Sequence, residues 1–402
     1  MNSIRSFAGA CAAAWLALGA GTAAHAACQL GLVAQLPITV EDNEALVQAE
    51  INGQPVRFML DTGSDKTMMW RGAAEGLGLR AVAMDGVVFY GVGGGEEAKI
   101  TTVHDFKLGS AEARDLRIIV IGRAGAVKNP RYVGLLGADM LLQNDLEIDF
   151  AGGVVRLMKP KGCQGDEVVY WNKPYSVADI IPSNSDQGLH IAVTLNGKRI
   201  VAQVDSGANR TIVTERAAAA AGVTPRSDGV TGAGKVTGIG GGAVKVYTAT
   251  FPTLGIGDEN IQNAKVELGQ IFEADKQVPI GSHLATESAV ASPDMLLGAD
   301  FMKVHRIYIA RSQGKVYFSY SGGPIFDVRE AAGQAASTMA DGSHEVSDKL
   351  KIPTSRPGLQ PPCALRAFDQ PRGAACASTP RVASAAASGA RSAVLRRATR
   401  RP

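Results

Sequence analysis

Two short stretches carry residues suited to chemistry: Asp61-Thr62-Gly63 after the run FML, and Asp205-Ser206-Gly207 after the run AQV. In each, an acid, a hydroxyl and a glycine close an apolar segment. Gly63 and Gly207 permit a tight turn and leave backbone N–H groups free to support a carboxylate. One such triplet means little, because composition alone produces it often. Two at matching places are another matter. If the stretches pack about a pseudo-two-fold axis, Asp61 and Asp205 meet at about 3 Å, and both cannot ionise. The ionised acid can then take a proton from a held water while the other donates to a carbonyl oxygen under attack. That chemistry needs neither metal nor cofactor. Thr62 and Ser206 are placed to hydrogen-bond across the axis. Ser64 follows the first triplet and Ala208 the second. A serine hydroxyl bonded to Asp61 favours its ionised form, so Asp61 is expected to be the more acidic of the two.

The elements that must position these acids recur. Asn52-Gly53 precedes Asp61 by nine residues, and Asn196-Gly197 precedes Asp205 by the same interval. Asn-Gly between apolar runs predicts a hairpin whose second strand ends at the acid. Thr67 and Thr211 lie six residues beyond the two acids, and short helical stretches follow, WRGAAEGLGL and TERAAAAAGV. Glycine-rich tips come next, with Gly91, Gly93 and Gly94 in the first copy and Gly238, Gly240 and Gly241 in the second. Matching tips on hairpins read as flaps that close over a ligand. GLLGADML and MLLGADFM then pair, and Asp139 and Asp300 in them read as helix N-caps. The body is therefore two copies of one mostly-β unit.

The expected boundaries are a first lobe over 27–160, a linker over 161–188 that can add strands, and a second lobe over 189–322. Residues 1–26 read as a secretory signal, with Arg5, an apolar stretch from Phe7 to Ala20 and Ala24-His25-Ala26 as the cleavage site. That places the mature chain outside the cytoplasm, in the periplasm or secreted, without an integral membrane segment. Residues 323–402 read as a disordered tail, and from Lys351 onward it carries ten basic residues against the single acid Asp369. The formal net charge of the 402-residue chain is only +3, which gives no argument for nucleic acid. After signal removal four cysteines remain, and Cys28 with Cys163 and Cys363 with Cys376 are the expected disulfides. The histidines show no metal spacing. GVTGAGKV comes close to a phosphate loop, but Val236 stands where Ser or Thr should hold magnesium.

These motifs carry a resemblance. LDTGS and VDSGA resemble the Asp-Thr/Ser-Gly-Ser/Ala of retropepsin-like aspartic proteases. YGVGGGEEAKI and TGIGGGAVKV resemble the flaps of retroviral proteases, and LLGAD resembles the segment that threads behind their acid loop. The resemblance implies an all-β, bilobal acid-protease fold with few short helices, its two β-barrel lobes fused in one chain as in pepsins. It implies an aspartic endopeptidase acting on polypeptide, monomeric through pairing of its own lobes, with Asp61 and Asp205 catalytic. The alternative is a non-catalytic peptide-binding protein of the cell envelope that keeps the fold. Tyr90 resembles the flap tyrosine of pepsins and is expected on the substrate side, whereas the second flap has Thr237 there. Ala138 and Ala299 replace an arginine found in many retroviral enzymes.

Overall fold

The two Asn-Gly pairs adopt the left-handed backbone that a two-residue hairpin turn demands, with φ of 49° and 80° at Asn52-Gly53 and 47° and 78° at Asn196-Gly197. They join strand Glu44–Ile51 to Gln54–Leu60 and strand His190–Leu195 to Lys198–Val204, both antiparallel. Alternation then decides which face is buried. Val56, Phe58 and Leu60 in one lobe, and Ile200, Ala202 and Val204 in the other, enter the main apolar core. The computed structural model describes residues 28–182, 188–272 and 292–326, all within one compact unit. The proposed signal, the tail from residue 327 onward and the Cys363–Cys376 pair lie outside the described residues, whereas Phe326, within the stretch expected to be tail, is buried in the main core against Phe301.

The architecture is bilobal and mostly β, and the described helices are short: Arg71–Gly76, Ala138–Leu141, Glu215–Ala220 and Ala299–Met302. In each lobe a three-residue strand, Gly134–Leu136 or Met295–Leu297, runs parallel to the strand that ends at the acid. The same short strand pairs antiparallel with Met68–Trp70 or Ile212–Thr214 on its other side. The GLLGAD and MLLGAD segments are thus threaded through the middle of each lobe. Among the described residues no helix is long and apolar enough to cross a membrane.

The strands that join the lobes run in the order Ser176–Asp179, Lys315–Tyr320, His305–Ala310, Asp145–Asp149, Val154–Lys161 and Gln29–Glu41, the last continuing into the first lobe by pairing with Glu44–Ile51. The closing hairpins of the two copies meet where Ile148 pairs with Ile307. The segment between the copies contributes Ser176–Asp179, so it supplies a strand as well as a connection. Cys28 is bonded to Cys163, which fastens the start of strand Gln29–Glu41 to the end of its neighbour Val154–Lys161.

One buried charge cluster sits at this junction. Glu147 is fully buried, and its Oε1 accepts from Arg156 Nη1 at 2.8 Å and from Arg306 Nε and Nη2 at 2.9 and 2.6 Å. Tyr170 donates its hydroxyl to the other oxygen, and the Arg306 guanidinium lies 4.4 Å from the Trp171 ring centre. Arg306 and Glu147 come from different copies, so the ion pair fastens lobe to lobe. Removing the carboxylate leaves two guanidiniums facing one another. Glu147→Leu is expected to cost about 3 kcal/mol in urea unfolding, and an unchanged midpoint would show that the cluster does not hold the junction.

Candidate active site

Each acid is held at the end of its strand by the threaded segment behind it. Asp61 N donates to Leu136 O and Asp205 N to Leu297 O, both at 3.0 Å. The turn then folds back. Asp61 Oδ1 accepts from Gly63 N and Ser64 N at 2.9 Å each, and Asp205 Oδ1 accepts from Gly207 N and Ala208 N at 2.9 and 3.1 Å. The two loops interlock reciprocally. Thr62 Oγ1 donates to Val204 O at 2.7 Å and accepts from Ser206 N at 3.0 Å. Ser206 Oγ donates to Leu60 O and accepts from Thr62 N, both at 3.0 Å. Each carboxyl lies over the other loop's glycine. A Cβ on Gly63 would stand 2.3 Å from Asp205 Cγ, and one on Gly207 would stand 2.3 Å from Asp61 Cγ. No side chain fits at either place.

Asp61 and Asp205 are buried and joined by a side-chain hydrogen bond. Burial raises both above the ordinary aspartate range, and the neighbouring charge of Asp205 raises Asp61 further. Backbone N–H donors oppose the rise at both. Both carboxyls are thus held above the ordinary aspartate range, Asp61 further than Asp205. The hydroxyl bond on which the expectation for Asp61 rested is not made. The Ser64 hydroxyl donates instead to Lys66 O at 2.8 Å. What reaches the carboxylate is the Ser64 backbone N–H, and Ala208 supplies the same bond on the other side.

Asp139 and Asp300 also depart from expectation. The residues at the N-cap positions are Gly137 and Gly298, and the acids sit within the first turn. Asp139 Oδ1 accepts from Thr67 N and Oγ1 at 2.8 and 2.7 Å, while Asp300 accepts from Thr211 N and Oγ1 at 3.0 and 2.6 Å. Gly137 N and Gly298 N donate in turn to the two threonine hydroxyls at 3.0 Å. The two aspartates therefore tie the acid loops to the threaded segments. The sequence reading missed Thr67 and Thr211 in this role, although their equal six-residue offset from the acids was the available signal.

The flaps are the hairpins Val82–Gly91 with Gly94–Leu108, and Thr231–Val236 with Val244–Ile256. Their tips touch, with Gly240 N donating to Val92 O at 3.2 Å and Gly242 N to Gly93 O at 3.1 Å. A Cβ on Gly240 would come within 2.2 Å of Gly94 N, so the approach needs glycine. Gly91, Gly93, Gly94 and Gly238 also face the opposite flap, whereas Gly241 lies nearest Glu96 of that flap. Each tip reaches the far lobe. Val92 packs with Ile212, Ile271 and Leu296, and Ile239 packs with Leu46, Met59 and Leu135. GVTGAGKV is largely the strand Thr231–Val236 of the second flap, not a phosphate-binding turn. Tyr90 is 60% exposed, and its ring lies against Gly95 of its own hairpin. A tyrosine not anticipated, Tyr132, packs with Ile239 and lies 6.5 Å from the Trp70 ring. Burial and the charges of Glu44 and Asp61 raise its phenol. No repeat of Tyr132 exists in the second copy, where Pro293 precedes Asp294-Met295.

The chain belongs to the retropepsin-like aspartyl proteases: the family model for aspartyl protease matches residues 47–140 and 191–301, one match in each lobe. Among solved structures, an aspartic proteinase from Irpex lacteus is similar at 13% identity and a TM-score of 0.42, covering 75% of this chain and 100% of that one. No curated protein matches the chain.

The interlock generates a test. Thr62→Val strands the buried Ser206 N–H and Val204 C=O and is expected to cost about 3 kcal/mol. Thr62→Ser keeps both bonds and is expected to stay within about 1 kcal/mol in the same urea titration. Equal stability of the two variants would mean that the hydroxyl does not fasten the loops.

Proposed function

We propose that this protein is an aspartic endopeptidase, with Asp61 and Asp205 as its catalytic pair. The observation that carries the reading is the pair itself: two buried carboxyls, hydrogen-bonded to one another and held by loops that interlock across the axis. Membership of the family supports it. A polypeptide would lie extended between the lobes and beneath the flaps, bonded through its backbone as an added strand is. Binding requires the contacts of Gly240 with Val92 and of Gly242 with Gly93 to part.

In the reaction, a water sits between the acids. The ionised carboxylate, Asp205 in the starting state, accepts one of its protons as the oxygen attacks the peptide carbonyl carbon. Asp61 gives its proton to the carbonyl oxygen, so a neutral gem-diol forms. The diol then collapses as a proton passes to the leaving nitrogen. The C–N bond breaks, a carboxylic acid and an amine depart, and the pair regains its single shared proton. Thr62, Gly63, Ser64, Ser206, Gly207 and Ala208 act as support for the two carboxyls, and Gly91, Gly93, Gly94, Gly238, Gly240 and Gly241 form the closing tips. Tyr90, beside Gly91 at the first tip, would stand on the substrate side.

The same reading assigns residues 27–160 and 189–322 to the two lobes and 161–188 to the connection. A chain that supplies one acid from each lobe needs no second copy, so it works as a monomer. The Cys28–Cys163 disulfide supports an oxidising, extracytoplasmic compartment.

Asp61→Asn and Asp205→Asn are each expected to lower kcat/KM on a cleavable peptide by about 10³-fold or more. The wild-type kcat/KM should be bell-shaped in pH. Rate is lost at low pH when both acids are protonated, and at high pH when both are ionised. Because burial and mutual repulsion raise the pair, the high-pH limb should lie above 3.8, the ordinary aspartate value. Peptide binding without cleavage at any pH would favour the peptide-binding reading instead.

A further inference from the structure

The two lobes differ in polarity along one rung of the sheet face turned toward the flaps. In the first lobe a rung of directly paired residues runs Met68, Ile119, Ile100. The equivalent rung in the second lobe runs Ile212, Glu267, Thr248. Val266 and Leu268 enter the main core, so Glu267 between them projects from the opposite face. Ile212 on that face packs with Val92 of the first flap and with Val236 and Val244 of the second. A buried carboxyl therefore stands in the second lobe where the first has isoleucine.

Nothing among the described residues completes its bonding. Glu267 is 4% exposed, and its Oε2 is buried without a hydrogen-bond partner. Its other oxygen lies 3.5 Å from Arg210 Nη1, too far for a firm hydrogen bond. The charged groups facing it are Arg210, on the second acid loop, and Asp300, which is engaged with Thr211. Buried polar atoms are ordinarily paired, and an unpaired one calls for a partner that the described residues do not supply.

We propose that Glu267 is a specificity residue that selects a substrate carboxamide side chain, glutamine or asparagine, on the second-lobe side of the cleft, opposite an apolar side chain on the first-lobe side. This rests on the peptidase reading above. Burial raises the Glu267 carboxyl to about 7, so over the acidic range it is neutral. A neutral carboxyl offers one O–H donor and one C=O acceptor side by side. A carboxamide presents the complementary acceptor and donor, whereas leucine leaves both carboxyl atoms unmet and lysine brings a cation beside Arg210.

The test is cleavage of a mixed peptide library at pH 5, read by mass spectrometry at every position on both sides of the cut. Wild type is expected to enrich glutamine and asparagine over leucine about tenfold at one position on one side only. Glu267→Ile, which installs the residue of the first lobe, should bring that ratio to within about threefold and leave the preferences at other positions in place. Glu267→Gln, nearly isosteric, provides a second readout should the isoleucine variant melt early. In wild type the preference should weaken as pH rises through 7 and the carboxyl loses its donor, while in Glu267→Gln it should not change with pH. Identical preference maps in wild type and Glu267→Ile, or enrichment of lysine in place of glutamine, would overturn the proposal while leaving proteolysis standing. A library left uncut by wild type at every pH would remove the peptidase reading and this one together.

Discussion

The structure depends on one reciprocal exchange of hydrogen bonds, between Thr62 and the Ser206 loop and between Ser206 and the Thr62 loop. Two carboxylates in a buried space repel one another and lose hydration, and each effect alone would drive the loops apart. The exchange opposes this with four bonds made where water is excluded. Glycine at the third position of each triplet then lets the opposite carboxyl approach to a distance no side chain would permit. Burial and mutual repulsion raise both carboxyls and so favour their protonated form.

The rest of the fold keeps that geometry from relaxing. Behind each loop, an aspartate grips a threonine, and the threonine hydroxyl accepts from the glycine of the threaded segment. Far from the site, Glu147 holds arginines from both copies in the joining strands. The lobes are thus fixed at the axis and again at their base. The flaps are bound more lightly, by two backbone hydrogen bonds between glycine-rich tips and by one apolar side chain from each tip seated on the far lobe. Such a roof can open without disturbing the pair beneath it.

Much of this was readable in the sequence because duplication makes each landmark its own control. The Asn-Gly turns, the triplets, the glycine tips and the LLGAD segments appear twice in one order, and the fold follows from them. What was not readable turned on side-chain direction. The Ser64 hydroxyl points to Lys66 O, a choice made by the local turn that spacing does not reveal. Asp139 and Asp300 sit two residues past the cap, where they face across to the threonines. Tyr132 and Glu267 escaped notice for a different reason. Each stands where the other copy has an unlike residue, and a search for repeats passes over differences between copies. Those differences are where two similar lobes can divide the work of recognising an unsymmetrical chain.

The central claim is that Asp61 and Asp205 share one proton. Carboxyl carbon NMR of protein labelled at aspartate, with Asp61→Asn and Asp205→Asn used for assignment, measures this directly. The account predicts that in wild type one carboxyl of the pair stays protonated well above 3.8, the ordinary aspartate value, and that Asp61 titrates lower once Asp205 is replaced by asparagine. Two carboxyls titrating independently near the ordinary value, each indifferent to loss of the other, would contradict it.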